Sequence, residues 1–227
     1  MSENEPKRKQ QKLIFRKSAE LDDSQLIQTS RAWHKLFLPH VAEFEALDPD
    51  MNATFATDWL ALIEDFALHP TDAATLAELG NYTSLTDNAA DKVFVFLEQL
   101  EYIVRKAFPK DKRKLLEFGF TDIRKLRHTN FSRMVVRCFV VQAVANEYHT
   151  ALDAAGLDAA FYTDYEAACQ ELVEAEIQQE YFKTVRIRRT TKRIKLFNEL
   201  YELHMRVQKA AAIIFKTQPE VAKQFVL

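Results

Sequence analysis

The chain has 227 residues and a formal net charge of −2, enough for one large domain or two small ones. Nearly half of the residues are apolar and 28% are charged, a globular balance that argues against disorder. Three glycines are too few for turn-rich β architectures, Gly-rich phosphate loops or dinucleotide folds, whereas abundant Ala, Leu, Glu, Lys and Gln favour helix.

In chain order, residues 1–20 open with "MSENEPKRKQQK", polar and basic, and read as a mobile tail. No apolar segment of signal-peptide type follows. Residues 21–120 read as a first helical repeat. It has a helix over about 23–47 bent at Pro39, a second from about 53 interrupted near His69 and Pro70, a third over about 87–108 and a short one near 110–118. Residues 121–227 read as a second repeat with helices over about 132–154, 159–184, 191–215 and 219–225. The junction "FGFTD" lacks the Gly/Ser or Pro richness of a linker, which predicts close packing of the halves. No run of about 18 apolar residues occurs, so no membrane span is expected.

The repeat rests on a shared pattern. "FATDWLALIEDF" from Phe55 returns as "FYTDYEAACQEL" from Phe161. Phe55, Trp59, Leu62, Ile63 and Phe66 lie on one helical face, and Phe161, Tyr165, Ala168, Cys169 and Leu172 fall on the same face after a shift of 106. Asn52 and Asp158 each stand three residues earlier as N-caps. A second stripe, Val93, Phe96, Leu97, Leu100, Val104 and Phe108, returns after a shift of 107 as Leu200, Leu203, His204, Val207, Ala211 and Phe215. The expected fold is all-α: an antiparallel helical bundle of two tandem, pseudo-symmetric halves, each with three long helices and one short one.

Charge comes in blocks. Residues 43–101 hold thirteen acids and one base, and 105–137 hold eleven bases and three acids. Residues 147–180 then hold nine acids and no base, and 183–195 seven bases and no acid. "KTVRIRRTTKRIK" offers Lys183, Arg186, Arg188, Arg189, Lys192, Arg193 and Lys195 as an anion site at a loop leading into a helix. A polyanion is the corresponding partner. The competing reading has the blocks pairing helix with helix. No aromatic interleaves this run, so bases would find no stacking platform.

Sites for chemistry are sparse. Neither a Glu–x–x–His pair nor His–Glu–x–x–His occurs, and the two cysteines, Cys138 and Cys169, make no disulfide framework. A reducing cytoplasm follows as the default. His40 and Glu43 share a helical face but make only a weak metal signal. Cys169 replaces Ile63, and His204 replaces Leu97, on core-facing rows. With a turn near residue 187 the two fall at nearly one height on neighbouring helices, a pair suited to a nucleophile or half a metal site. Cys138 lies about five residues off that layer. Against this stands the ordinary role of a buried thiol as a small hydrophobe.

The stretches "FGFTDIRK" and "RIKLFNELYEL" resemble an uncharacterised family of small helical bacterial proteins. That resemblance implies an all-helical fold and a bacterial cytoplasmic setting, and no activity. The expected function is a non-enzymatic helical module that binds a protein partner or assembles with itself, with no cofactor and no metal. Anion binding through 183–195 and a metal or thiol protein using Cys169 and His204 are the alternatives.

Overall fold

In the computed structural model the described residues are Lys17, 21–127 and 129–226; the expected N-terminal tail, residues 1–20, lies outside them except for Lys17. The described residues are helical and contain no strand. The order is α1 (Asp23–Phe37), a 3₁₀ turn (Leu38–His40), α2 (Val41–Leu47), α3 (Ala53–Leu68), α4 (Asp72–Ala107), α5 (Lys112–Phe118), α6 (Phe120–Leu126), α7 (Phe131–Glu147), α8 (His149–Ala154), α9 (Ala159–Ile214), α10 (Pro219–Ala222) and a closing 3₁₀ turn (Lys223–Phe225).

Local chemistry accounts for most boundaries. Asp22 caps α1 by accepting from the Ser24 N–H at 2.6 Å, and Asn52 caps α3 by accepting from Thr54 and Phe55 at 2.9 and 3.2 Å. Asp158 accepts from the Ala160 N–H at 3.0 Å at the start of α9, so both expected caps are made. Pro39 turns the first helix into 3₁₀ geometry. His69 is extended ahead of Pro70 and ends α3. Gly119, at φ 69°, separates α5 from α6, and Gly156, at φ 99°, precedes α9.

Besides an unexpected short helix α6 and a break at Tyr148 that splits the helix expected over 132–154 into α7 and α8, two larger differences from expectation occur. The helix expected to begin near residue 87 begins at Asp72. The break expected between 184 and 191 is absent, because α9 continues for 56 residues. Residues 183–195 contain no Gly, Pro, Asn or Asp, so nothing in that segment stops a helix, and its Val, Ile and Thr residues cost only tenths of a kcal/mol each, about 0.5.

The chain divides into two compact units, one of residues 1–72 with 187–227 and the other of residues 73–186. These bounds do not coincide with 21–120 and 121–227. In the first unit, α1–α3 and the later part of α9 bury Trp33, Phe37, Trp59, Phe197, Leu200 and Val207, and Phe44, Phe215 and Phe225 close one end with ring centroids 5.9–6.1 Å apart. In the second, α4, α7 and the earlier part of α9 bury Val93, Leu97, Leu100, Met134, Tyr165 and Leu172.

The charge blocks meet inside the units. In the first unit Arg31 holds Glu64 at 3.0 Å, Lys192 holds Asp65 at 3.2 Å and Arg206 holds Asp48 at 2.6 Å. In the second, Arg127 holds Asp91 at 2.9 Å, and Glu101, buried, receives both Arg105 and Arg124. Each exposed pair adds about 0–1 kcal/mol, so the blocks contribute to which helices pair more than to stability.

Candidate functional site

Cys169 and His204 do not meet. They lie on one uninterrupted helix, and Cys169 belongs to the second unit whereas His204 belongs to the first. The turn that brought them to one height does not exist.

Each has its own buried surroundings. His204 stacks on Trp33 at a centroid distance of 4.5 Å and presents its edge toward Trp59 at 6.0 Å. Its Nε2 lies 2.7 Å from Ser30 Oγ, and that hydroxyl donates to the Leu26 carbonyl at 2.6 Å. The hydroxyl proton is therefore committed, and the imidazole N–H donates to Ser30. A serine activated by a base needs the opposite direction of donation. Among the described residues, His204 Nδ1 is buried without a hydrogen-bond partner, as is Trp59 Nε1. Burial pulls the His204 pKa down to about 4, so the ring is neutral at pH 7.

Cys169 pairs with Cys138, which the helical layering had placed off its level. The hydrogen bond to Cys169 and burial push the Cys138 thiol far above the ordinary range. Tyr165, stacked on Phe161, donates its hydroxyl to the Cys138 carbonyl at 3.2 Å. Both thiols are free and buried, the setting of packing cysteines rather than of nucleophiles. Among the described residues no group of three or more His, Cys, Asp or Glu side chains is placed to hold a metal. His40 lies 3.2 Å from Glu43 as an exposed pair.

The basic segment sits in the middle of α9 and not at a helix N-terminus, so no orphan backbone N–H groups face an anion there. Lys183 is engaged by Glu180, Lys192 by Asp65, Lys195 by Glu199 at 3.5 Å, and Arg193 by both Asp23 and Asp72. The Arg189 carbonyl accepts from His69 Nε2 at 2.9 Å. At helical spacing, Arg186, Arg189 and Arg193 fall on one face and Arg188, Lys192 and Lys195 on another. The seven cations are split and largely internally paired.

A different place in the second unit gathers unpaired charge. The cleft between α6 and α7 is lined by Asp122, Lys125, Leu126, Ser132, Arg133, Val136 and Arg137 and encloses about 710 Å³. Its one lining acid is engaged, Asp122 facing Arg137 at 3.7 Å, and Ser132 donates to Glu176 nearby on α9. Lys125 and Arg133 form no ion pair among the described residues. From Val136 in the cleft lining α7 continues an outward apolar row, with Val136 62%, Phe139 42% and Val140 38% exposed. This row lies opposite the buried face of Met134, Cys138, Val141 and Ala145. Sequence reading registered the basic block around it but passed over the row. Its signal was an α7 apolar on two opposite faces, where one face suffices for a core.

Among the described residues no helix is long and apolar enough to cross a membrane. Compared with known protein families, with curated proteins and with solved structures, the chain shows no match.

Proposed function

We propose that the protein is a non-enzymatic helical interaction module that associates with a protein partner, or with itself, through the outward face of α7. The observation that carries this reading is the exposed row Val136, Phe139 and Val140 beside a cationic cleft. Large apolar side chains contiguous on a helix face mark association surfaces. The groups suited to chemistry, Cys169 and His204, are spent on two separate cores. The setting is cytoplasmic in this reading, which suits two buried free thiols. Anion binding through 183–195 ranks second, with exposed Arg186 and Arg188 as the cations left to serve it.

The architecture of the module is, in the same reading, a duplication in which the copies exchanged parts. Each unit takes its first two helical elements from one copy and its last two from the other. Support comes from buried positions that match in register. Leu26, Ser30, Trp33 and Phe37 match Met134, Cys138, Val141 and Ala145 after 108 residues, and Met51, Trp59, Ile63 and Phe66 match Leu157, Tyr165, Cys169 and Leu172 after 106. Leu97, Leu100, Val104 and Phe118 match His204, Val207, Ala211 and Phe225 after 107.

A photo-crosslinking residue at Phe139, compared with one at the exposed Ile213 of the first unit, tests the interaction reading. The expected result is a discrete protein adduct, or a crosslinked dimer, at residue 139 and none at 213. Equal labelling at both, or none at either, together with a monomer in sedimentation at high concentration, counts against the reading.

A further inference from the structure

Resting on the reading of α7 as an association surface, we infer that the α6–α7 cleft docks an acidic amphipathic helix of a partner protein. Three features specify that occupant. The outward row on α7 repeats at the three- and four-residue steps of a helix face, and a second helix matches it with apolar side chains at i, i+3 or i+4, and i+7. The cleft lining supplies apolar Leu126 and Val136 together with Lys125, Arg133 and Arg137. Carboxylates flanking the partner's apolar stripe reach Lys125 and Arg133, while Asp122, the one acid of the cleft lining, already faces Arg137.

The sign of the charge selects among occupants. The cleft lining carries Lys125, Arg133 and Arg137 against Asp122 alone, so a basic segment is repelled. That excludes the chain's own "PKRKQQK" start, which carries the same sign. A purely polar anion, such as inorganic phosphate or a polyphosphate, satisfies the cations but leaves Val136 and Val140 in water. A helix that is acidic and apolar on one side satisfies both. Association is then steered by charge and held by the apolar row, so added salt slows binding more than it speeds release.

The test is a fluorescence-anisotropy titration of the full chain with a synthetic Leu/Glu peptide of about five helical turns, roughly 27 Å. A scrambled peptide of equal composition and a polyglutamate serve as comparisons. The amphipathic peptide is expected to bind at least about tenfold more tightly than either. Lys125→Glu with Arg133→Glu, and separately Val136→Glu, are each expected to weaken it by about tenfold or more. All three side chains are exposed, and unchanged circular dichroism verifies that the variants fold. Absent binding, equal binding of the scrambled peptide, or affinity untouched by either variant overturns the inference. If the peptide fails while wild-type protein dimerises and Val136→Glu does not, the occupant is a second copy: the acidic helix is rejected and the association surface survives. If residue 139 also gives no adduct, both fall.

Discussion

At the scale of single residues, the second unit closes its core around two thiols and a tyrosine, and the first around a histidine held between two tryptophans. His204 ordinarily titrates near 6.5, and burial draws it to about 4. The unfolded chain therefore takes up this proton at a higher pH than the folded one. The stability tied to neutral His204 is complete above about pH 6.5, declines as pH falls, and levels off near pH 4. The interval corresponds to about 3 kcal/mol. His204→Leu retains apolar bulk and leaves Ser30 donating to Leu26. It is expected to flatten the pH dependence of urea unfolding between pH 6.5 and 4. Equal slopes in both proteins would remove His204 as the source. Asp22, Glu43, Asp48 and Glu117, exposed carboxylates held below their ordinary values by hydrogen bonds from Ser24, His40, Arg206 and Lys114, lose their contributions only at lower pH. The histidine is thus read cleanly in the upper part of its window, above the 4.5 at which glutamates of the unfolded chain titrate.

At the scale of elements, α9 is the segment where expectation and structure part. A turn near residue 187 would tolerate proline, whereas a helix interior loses a hydrogen bond and meets a steric clash. Arg188 is exposed, so its replacement acts on the backbone alone. Arg188→Pro is expected to destabilise the protein by about 3 kcal/mol or more and to lower helical ellipticity at 222 nm. An unfolding midpoint unchanged from wild type would indicate a break already present. The caps follow the other rule. Asn52 and Asp158 were legible because a short polar side chain before an apolar stripe has one efficient use, satisfying orphan N–H groups.

At the scale of the whole molecule, each unit has its own cluster of buried residues among the described residues. Leu100 in the second unit and Leu200 in the first are fully buried, and truncating either to Ala is expected to cost about 2–5 kcal/mol. For two independent cores the costs are expected to add to within about 0.5 kcal/mol in the double variant. Both tryptophans, Trp33 and Trp59, lie in the first unit, so their fluorescence follows that unit while circular dichroism follows all helices. A coupling well above about 1 kcal/mol between Leu100→Ala and Leu200→Ala would show that the cores stabilise each other.

The amino-acid sequence by itself determined the helical class, the caps and the rows that turn inward, because these depend on spacing within one turn and on side-chain chemistry close along the chain. The stripe from Phe55 through Trp59 and Ile63 to Phe66, and its echo from Phe161, are of this kind. Only the tertiary structure decided which rows face each other. Cys169 touches Cys138 and not His204, and the basic residues of 183–195 meet acids of α1, α3 and α4. The outward row of α7 is left beside an open cleft. Helical periodicity says that a row is buried but carries no information about its partner, since burial of apolar area is non-directional.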